Sequence, residues 1–485
     1  MSPLSFGIGN SRAFGVAKSS SASPYWLQSL NYYPVSSQSD GYYIADIAKD
    51  DGGNIYVLGN TRNDVSLSSH CLITKFNTAG DVQWVARIPT DASTIRHFGN
   101  NLHVTPNGAT IYVVGSTWNG VAQNTAYDTL VIKITTSGIS SPGEEFPVET
   151  YRMYATDYNI SPPEGVQENS IRSVIDSSGN IYIACWYYTG TGILTKCSIS
   201  SNTLNVLWSK KITTSSGGGV TPSALQLDSS GNVYWVGNSA NTPNVVKHNS
   251  SNGSLIWCKT FNITDYIAIT GSIYIDSNDN IYLTGYSGRL ATSNYGMLLT
   301  KLNTSGSLVW QRILQSSTFN SSQVFVGGVI TTDSSNNVYV AGAINEDLMF
   351  VKFNSSNGND MFQRSFGGAS NDTSYISRRL LVDSNSLVVA TVIGAEQRAG
   401  LVSKLPSDGS KTGTYTIQID DVNYSLLNYS MTYSTVSTAT NSDVTSTTTV
   451  SDRSLTLTDA IQTTSVITET GFIGLRMIEL YKTAI

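Results

Sequence analysis

Leu299-Thr300-Lys301-Leu302-Asn303-Thr304-Ser305-Gly306-Ser307-Leu308-Val309-Trp310 reads as a strand, a tight polar turn and a second strand with a Trp four residues after the Gly. That is the signature of a β-hairpin. Near copies recur along most of the chain, with the Lys at Lys75, Lys133, Lys196, Lys247, Lys301, Lys352 and Lys404. A second motif alternates with it, clearest in Asp228-Ser229-Ser230-Gly231-Asn232-Val233-Tyr234-Trp235-Val236-Gly237: an Asp-headed polar turn, then a strand bearing a Tyr. It begins again at Asp50, Thr105, Asp176, Asp276, Asp333 and, in degenerate form, Asp383. Two motifs present seven times each give a repeat of about 50 to 60 residues, the length of a propeller blade.

Each unit is expected to hold four antiparallel strands. An inner strand A ends at the Asp turn, B carries the Tyr and C the Lys. An outer strand D carries Trp84, Trp208, Trp257, Trp310, Phe362 or Tyr415, with the segment Phe146 to Tyr154 serving in the second unit. One copy cannot bury its own faces, but a ring of copies buries them blade against blade. The expected fold is therefore all-β, a seven-bladed β-propeller with four-stranded blades over residues 24–418. An N-terminal docking arm, 1–23, and a C-terminal β module or oligomerisation tail, 419–485, flank it. Pro24-Tyr25-Trp26-Leu27-Gln28-Ser29-Leu30 looks like a D strand with no A, B or C before it, so it is expected on the last blade, closing the ring and covering an open edge. The segment around Tyr415 is then a fifth strand there or the start of the tail. Beyond it the repeat is lost, and alternation such as Ser454-Leu455-Thr456-Leu457-Thr458 predicts half-buried strands; a cryptic eighth blade is the other reading.

Charged residues make up 13% of the 485, about half the usual share of roughly 25%, so the surface is polar but mostly uncharged. With a net charge of −6 and no basic run, the phosphate attraction that drives nucleic-acid binding is missing. Cys71, Cys185, Cys197 and Cys258 show no C-x-x-C spacing and are expected as buried free thiols. The first ten residues lack the basic start and apolar core of a secretory signal, and no run approaches the length of a membrane span.

With its Gly-centred turn ahead of a Trp, the hairpin resembles the repeat of quinoprotein-like propellers, and the whole unit resembles bacterial β-propeller repeats of the SBBP type. The resemblance implies fold rather than activity, because propellers host enzymes, lectins and scaffolds alike. Quinoprotein dehydrogenases imply a calcium-binding acidic cluster and often an adjacent Cys pair; this chain has no Cys-Cys, and no cofactor is expected. Ser5-Phe6-Gly7-Ile8-Gly9-Asn10-Ser11-Arg12-Ala13-Phe14, followed by Ser19-Ser20-Ser21-Ala22-Ser23, is similar to leaders of tailed-bacteriophage structural proteins, which implies an arm anchoring a fibre or appendage to the particle.

Candidate chemistry is sparse. The Asp turns invite comparison with calcium loops, yet only Asp276 to Asn280 offers a second spaced carboxylate, Asp279, and Asp50-Asp51 places its pair side by side. An Asx-type turn is the expected reading. The repeated Lys is expected to lay its stem along an aromatic neighbour and reach a turn carbonyl. His70, His97, His103 and His248 show no metal spacing, and the adjacent acids Glu144-Glu145 and Asp420-Asp421 read as solvated. No G-x-S-x-G, H-E-x-x-H or P-loop pattern occurs, so a non-enzymatic protein with no metal is expected.

In such blades the A–B and C–D turns emerge on one face of the disc and the B–C and D–A connections on the other. The first set is short and repetitive, apart from a longer C–D turn in the second unit around Ser137 to Glu145. The second is uneven and carries Trp118, Tyr127, Trp186, Tyr187, Tyr188, Tyr286 and Tyr295. Aromatics beside Asn and Asp suit stacking on sugar rings, so these seven are the expected ligand-binding set, for a surface glycan or a neighbouring protein; the alternative is packing within their own loops. The expected function is a bacteriophage virion protein (tail fibre, appendage or decoration) that uses its propeller for attachment or host-surface recognition. Its expected partners are other virion proteins, through the arm or the tail, and copies of itself. A bacterial extracellular adhesin is the alternative, and a polysaccharide-degrading propeller enzyme comes third.

Overall fold

The computed structural model describes residues 25–32, 41–62, 71–88, 96–118, 128–136, 145–155, 171–187, 191–201, 203–213, 221–239, 242–263, 266–289, 295–315, 326–344, 347–367, 379–383, 385–393, 399–410, 413–417, 422–428, 432–435, 439–443, 449–452, 455–468 and 478–484. The fold is all-β, with seven blades of four antiparallel strands in a ring. Strands A to D are Gly41–Lys49, Ile55–Arg62, Cys71–Phe76 and Val82–Ile88 in blade 1; Arg96–Val104, Thr110–Trp118, Asp128–Thr135 and Glu145–Ala155 in blade 2; and Arg172–Ile175, Ile181–Tyr187, Thr191–Ser200 and Thr203–Thr213 in blade 3. Blade 4 is Thr221–Leu227, Val233–Ser239, Thr242–His248 and Leu255–Ile263; blade 5 is Tyr266–Ile275, Ile281–Arg289, Tyr295–Leu302 and Leu308–Gln315; blade 6 is Val326–Thr332, Val338–Ile344, Asp347–Phe353 and Asp360–Gly367. Blade 7 takes Leu381–Val382, Ser386–Ile393 and Ala399–Pro406 from the end of the repeat and Trp26–Tyr32 from the start of the chain.

The hairpin motif explains why Trp26–Tyr32 fits there. In blades 1, 3, 4, 5 and 6 the Lys of strand C stands directly opposite the aromatic of strand D, and the register then shifts: Lys75↔Trp84, Lys196↔Trp208, Lys247↔Trp257, Lys301↔Trp310, Lys352↔Phe362. Lys404↔Trp26 repeats the pairing in blade 7. Five of these aromatics then lie over the C–D turn glycine of the next blade. A Cβ on Gly80 would stand 2.5 Å from the Trp26 ring, and one on Gly358 would stand 2.8 Å from Trp310; both glycines have positive φ, +82° and +69°, which also favours Gly. Trp208 on Gly253, Trp257 on Gly306 and Phe362 on Gly409 follow the same rule. Closure therefore uses the contact that joins blades 3 to 7 to one another.

The apolar core lies between blades rather than within one. The cluster joining the first blade to the last contains Trp26, Leu30, Ile47, Val57, Val388 and Val402, all almost wholly buried. Among the described residues no helix is long and apolar enough to cross a membrane.

After strand C of blade 7 the chain turns back on itself. Val422–Asn428 pairs with strand D of blade 6, and Gly413–Ile417 pairs outside it. Of the two readings for the segment around Tyr415 the start of the tail holds: Gly413–Ile417 opens it, and Tyr415 is not a D strand or a fifth strand of the last blade, because Trp26 holds the place opposite Lys404 and Ile478–Ala484 the place outside it. Thr432–Thr435 then joins strand D of blade 5, Ala439–Asp443 that of blade 4 and Thr449–Asp452 that of blade 3. Leu455–Thr468 runs along strand D of blade 2 and touches blade 1 at its end, and Ile478–Ala484 covers Trp26–Tyr32. These strands circle the ring in reverse blade order, and among the described residues no eighth blade forms.

Candidate functional site

The repeated side chains are occupied by the scaffold. Asp50 accepts from the Asn54 backbone N–H (2.9 Å), the Asn54 amide (2.8 Å) and the Tyr56 hydroxyl (3.0 Å). Asp176, Asp276 and Asp333 do the same with Tyr182, Tyr282 and Tyr339. Burial, reinforced by the adjacent carboxylate, raises the Tyr56, Tyr182 and Tyr282 hydroxyls above the ordinary phenol range and keeps them as donors. This is the Asx turn expected from the sequence. The second acid of the fifth copy, Asp279, takes a left-handed φ of 59° and accepts from the Ser229 N–H and hydroxyl at 2.8 and 2.7 Å, tying the turn of blade 4 to that of blade 5. Among the described residues no group of three His, Cys, Asp or Glu could hold a metal ion.

Lys75, Lys196, Lys247, Lys301 and Lys352 hold their ammonium 4.8 to 5.3 Å from the ring centroid of the strand-B Tyr. Lys196, Lys301 and Lys404 also donate to C–D turn carbonyls of the next blade, at Ser250, Ser355 and Thr78. In blade 4 burial works against the Lys247 ammonium, but Tyr234 and Asp228 outweigh it and raise its pKa. None of the four cysteines is in a disulfide and all are buried, and burial pushes the Cys71 and Cys197 thiols up to about 12.

The inner strands carry a polar cluster that motif reading missed. Four residues before the head of the A–B turn stand Asp46, Asn101, Arg172 and Arg379, where blades 4, 5 and 6 have Ala224, Ser272 and Val329. In blades 1, 2, 4, 5 and 6 the A–B register shifts just before this position, a bulge that re-aims the side chain. Each of the four long polar residues reaches the next blade. Asp46 accepts from the Leu102 N–H (2.9 Å), Asn101 from the Ser173 N–H (3.0 Å), and Arg172 donates to the Ser223 carbonyl. Arg379 lies 3.6 Å from Asp46, donates to the Leu102 carbonyl (2.6 Å), and places Nη2 3.0 Å from His103 Nδ1. An innermost strand has a partner on one side only, and these side chains satisfy backbone groups on its open side.

The chemistry of the cluster follows from proton directions. A guanidinium only donates, so His103 Nδ1 accepts and the ring proton sits on Nε2. Nε2 is 2.8 Å from Ser173 Oγ and donates to it. A serine activated for attack needs the opposite polarity, with imidazole accepting its proton. Burial, together with Arg379, holds the His103 pKa well below the ordinary imidazole value, consistent with a neutral ring. The cluster is built to join blades 7, 1, 2 and 3. Its sequence signal was the break in the repeat at one position of strand A.

Of the expected ligand set, Trp118 ends strand B of blade 2 opposite Arg96. Trp186, half-buried, and Tyr187 end strand B of blade 3, the latter opposite Thr191. Tyr286 lies on strand B of blade 5 opposite Met297, and Tyr295 starts strand C opposite Gly288. All five stand toward the B–C end of their blades, away from the Asp turns. Tyr127 and Tyr188 lie outside the described residues.

No family model and no curated protein matches the sequence. Among solved structures, the chain is similar to the polysaccharide lyase Uly1 (9% identity, 78% of this chain and 92% of that one, TM-score 0.43). It is also similar to YCF48 from Cyanidioschyzon merolae (10%, 77% and 98%, TM-score 0.38) and to the exotype rhamnogalacturonan lyase YesX (11%, 77% and 75%, TM-score 0.30). The expectation of a non-enzymatic protein is corrected here: two of these structures are lyases, and the missing motifs on which that expectation rested do not exclude an enzyme. The physical reason is that a propeller joins side chains distant in sequence, as Arg379 and His103 meet across 276 positions, so the absence of short motifs excludes no catalysis.

Proposed function

We propose that this protein is a recognition module that binds a surface glycan through the B–C end of its blades. One contrast supports the reading. The A–B and C–D turns are filled with repeated residues bonded to the scaffold, whereas the B–C end carries Trp118, Trp186, Tyr187, Tyr286 and Tyr295 at positions the repeat does not fix. Aromatic faces stack on sugar rings, and Asn, Ser and Thr neighbours bond hydroxyls without needing charge. A chain with 13% charged residues suits a neutral polymer better than a polyanion.

The setting we propose is the particle of a tailed bacteriophage, as an appendage that meets the host surface; the leader-like start of the chain supports it. Glycan-array binding by the full chain tests the first part, with the signal expected to fall in Trp118→Ala and Trp186→Ala while the melting temperature stays put. Binding indifferent to both substitutions would reject the site. Mass spectrometry of purified particles tests the second, and absence of the chain from them would reject the virion setting.

A further inference from the structure

Blades 3 to 6 repeat as pairs. The C–D turns of blades 4 and 6 are the same five residues, Asn249-Ser250-Ser251-Asn252-Gly253 and Asn354-Ser355-Ser356-Asn357-Gly358, 105 positions apart. Asp228 and Asp333, Tyr234 and Tyr339, Lys247 and Lys352, and Trp257 and Phe362 keep that interval. In both turns the Gly N–H donates four residues back, to the Asn249 and Asn354 carbonyls at 2.8 Å, whereas Gly306 of blade 5 donates three back, to Asn303. The contacts around the turns alternate as well. Lys196 and Trp208 of blade 3 both donate to the Ser250 carbonyl, each at 3.1 Å; Lys301 and Trp310 of blade 5 both donate to the Ser355 carbonyl, at 2.9 and 3.0 Å. In blades 4 and 6 the ammonium lies beside a carboxylate, Lys247 3.0 Å from Asp228 and Lys352 3.3 Å from Asp333. Blade 3 therefore matches blade 5, and blade 4 matches blade 6.

The B–C end follows the same period. Four residues after the strand-B Tyr, Trp186 stands in blade 3 opposite Gly192 and Tyr286 in blade 5 opposite Met297; blades 4 and 6 have Asn238 and Ala343 at that register position, opposite Pro243 and Leu348. A packing role common to all blades keeps one residue type in all of them, as the strand-C Lys shows. An aromatic kept in the first blade of each pair and replaced in the second belongs to the pair instead. The position is one where a blade meets its neighbour: in blade 1 it is Asn60, whose amide donates to the Gly99 carbonyl of blade 2 and accepts from the Gly99 N–H, both at 2.8 Å. Trp186 is half-buried, a ring held by the scaffold with part of its surface open to solvent.

We propose that the B–C end holds two equivalent aromatic subsites, at Trp186 and Tyr286, and that its ligand is a linear neutral polysaccharide long enough to touch both. This rests on the glycan reading given above. Sites that repeat around a ring suit a ligand that repeats along its length, because one polymer engaging both gains avidity without any new contact. Native electrophoresis of the full chain in gels containing dextran, laminarin, galactomannan or arabinoxylan tests it with Trp186→Leu and Tyr286→Leu, which keep apolar bulk and remove the ring. With a polymer that retards the unaltered chain, either variant is expected to bind about 100-fold more weakly. Calorimetry with trisaccharide fragments of that polymer should give about two sites per chain before substitution and about one after either. Trp186→Tyr and Tyr286→Phe retain a ring and should bind within about threefold of the unaltered chain. Loss confined to one position, one fragment per chain throughout, or an equal loss in the ring-retaining variants would overturn the two-site inference and leave the glycan reading standing. No binding to these polymers or to the glycan array would overturn both.

Discussion

Outside the ring, five of the joints between neighbouring blades use the same device: an aromatic from strand D over a turn glycine, with a Lys beside it. Inside the ring, the joints are made by Arg379, Asp46, Asn101 and Arg172, a different residue at each of four interfaces, and blades 4, 5 and 6 have short or apolar residues there. The difference teaches how a repeat divides its work. Where each blade meets the same packing problem, the same residue recurs; where the requirement differs around the ring, the repeat breaks, and the broken positions hold the information particular to this protein.

The outer joint should give the largest effects. Trp26→Ala removes a fully buried indole from the closing interface and is expected to cost about 3–5 kcal/mol, as buried aromatic truncations do. Gly80→Val should approach that figure by driving a side chain into the same ring. Urea unfolding at pH 7.5 measures both, and a midpoint unmoved by either would break the claim that Trp26 closes the ring as the docking aromatic of the seventh blade.

Breaking the inner joint should cost somewhat less. Arg379→Met strips a cation from Asp46, which is 0% exposed, and is expected to cost about 2–4 kcal/mol. Asp46→Asn added to it should restore part of the loss, since the uncompensated carboxylate disappears; strict additivity in the double-mutant cycle would show that the two do not interact.

Acid should weaken the inner joint in a defined window. His103 is held neutral by burial and Arg379, and burial lowers His248 to about 4. The unfolded chain protonates these rings near pH 6.5 while the folded chain does not, so unfolding becomes more favourable as pH falls below that value, until the folded rings also protonate, near pH 4 for His248. His103→Gln keeps an acceptor for Arg379 and a donor for Ser173 without titrating, and should flatten part of the dependence. An identical pH profile in that variant would remove His103 from the account.

The smallest effect is expected at the repeated Lys. Lys301→Met keeps the stem over Tyr282 and loses one carbonyl bond and the ring contact, a change of about 1 kcal/mol. A loss as large as that of Trp26→Ala would mean the ammonium, rather than the indole, holds the outer joint.

Much of the fold was legible in the sequence because its repeated problems are local. Gly306 and Trp310 sit in one hairpin, Asp276 and Tyr282 in one turn and strand, and seven copies fix the ring. Even Trp26 declared itself, as a D strand lacking its blade. The inner cluster was not legible because its members come from four blades, and His103 looked like an isolated histidine until the residues leading into strand A of blade 7 brought Arg379 beside it. The route of the tail was equally hidden: edge pairing is made by backbone groups, and the alternation at Leu455 and Leu457 says strand without naming its neighbour. For the same reason the residues around Tyr415 allowed two readings, of which the start of the tail is the one the pairing bears out.

The separation of holding residues from recognising residues is tested most directly by measuring melting temperature and glycan-array binding on the same preparations of Trp310→Ala and Trp186→Ala. Trp310→Ala is expected to lower the melting temperature and, below it, to bind as the unaltered chain does; Trp186→Ala is expected to melt as the unaltered chain does and to lose binding. If Trp186→Ala binds unchanged, or if stability and binding fall together in both, the division between repeated scaffold and non-repeated site is contradicted.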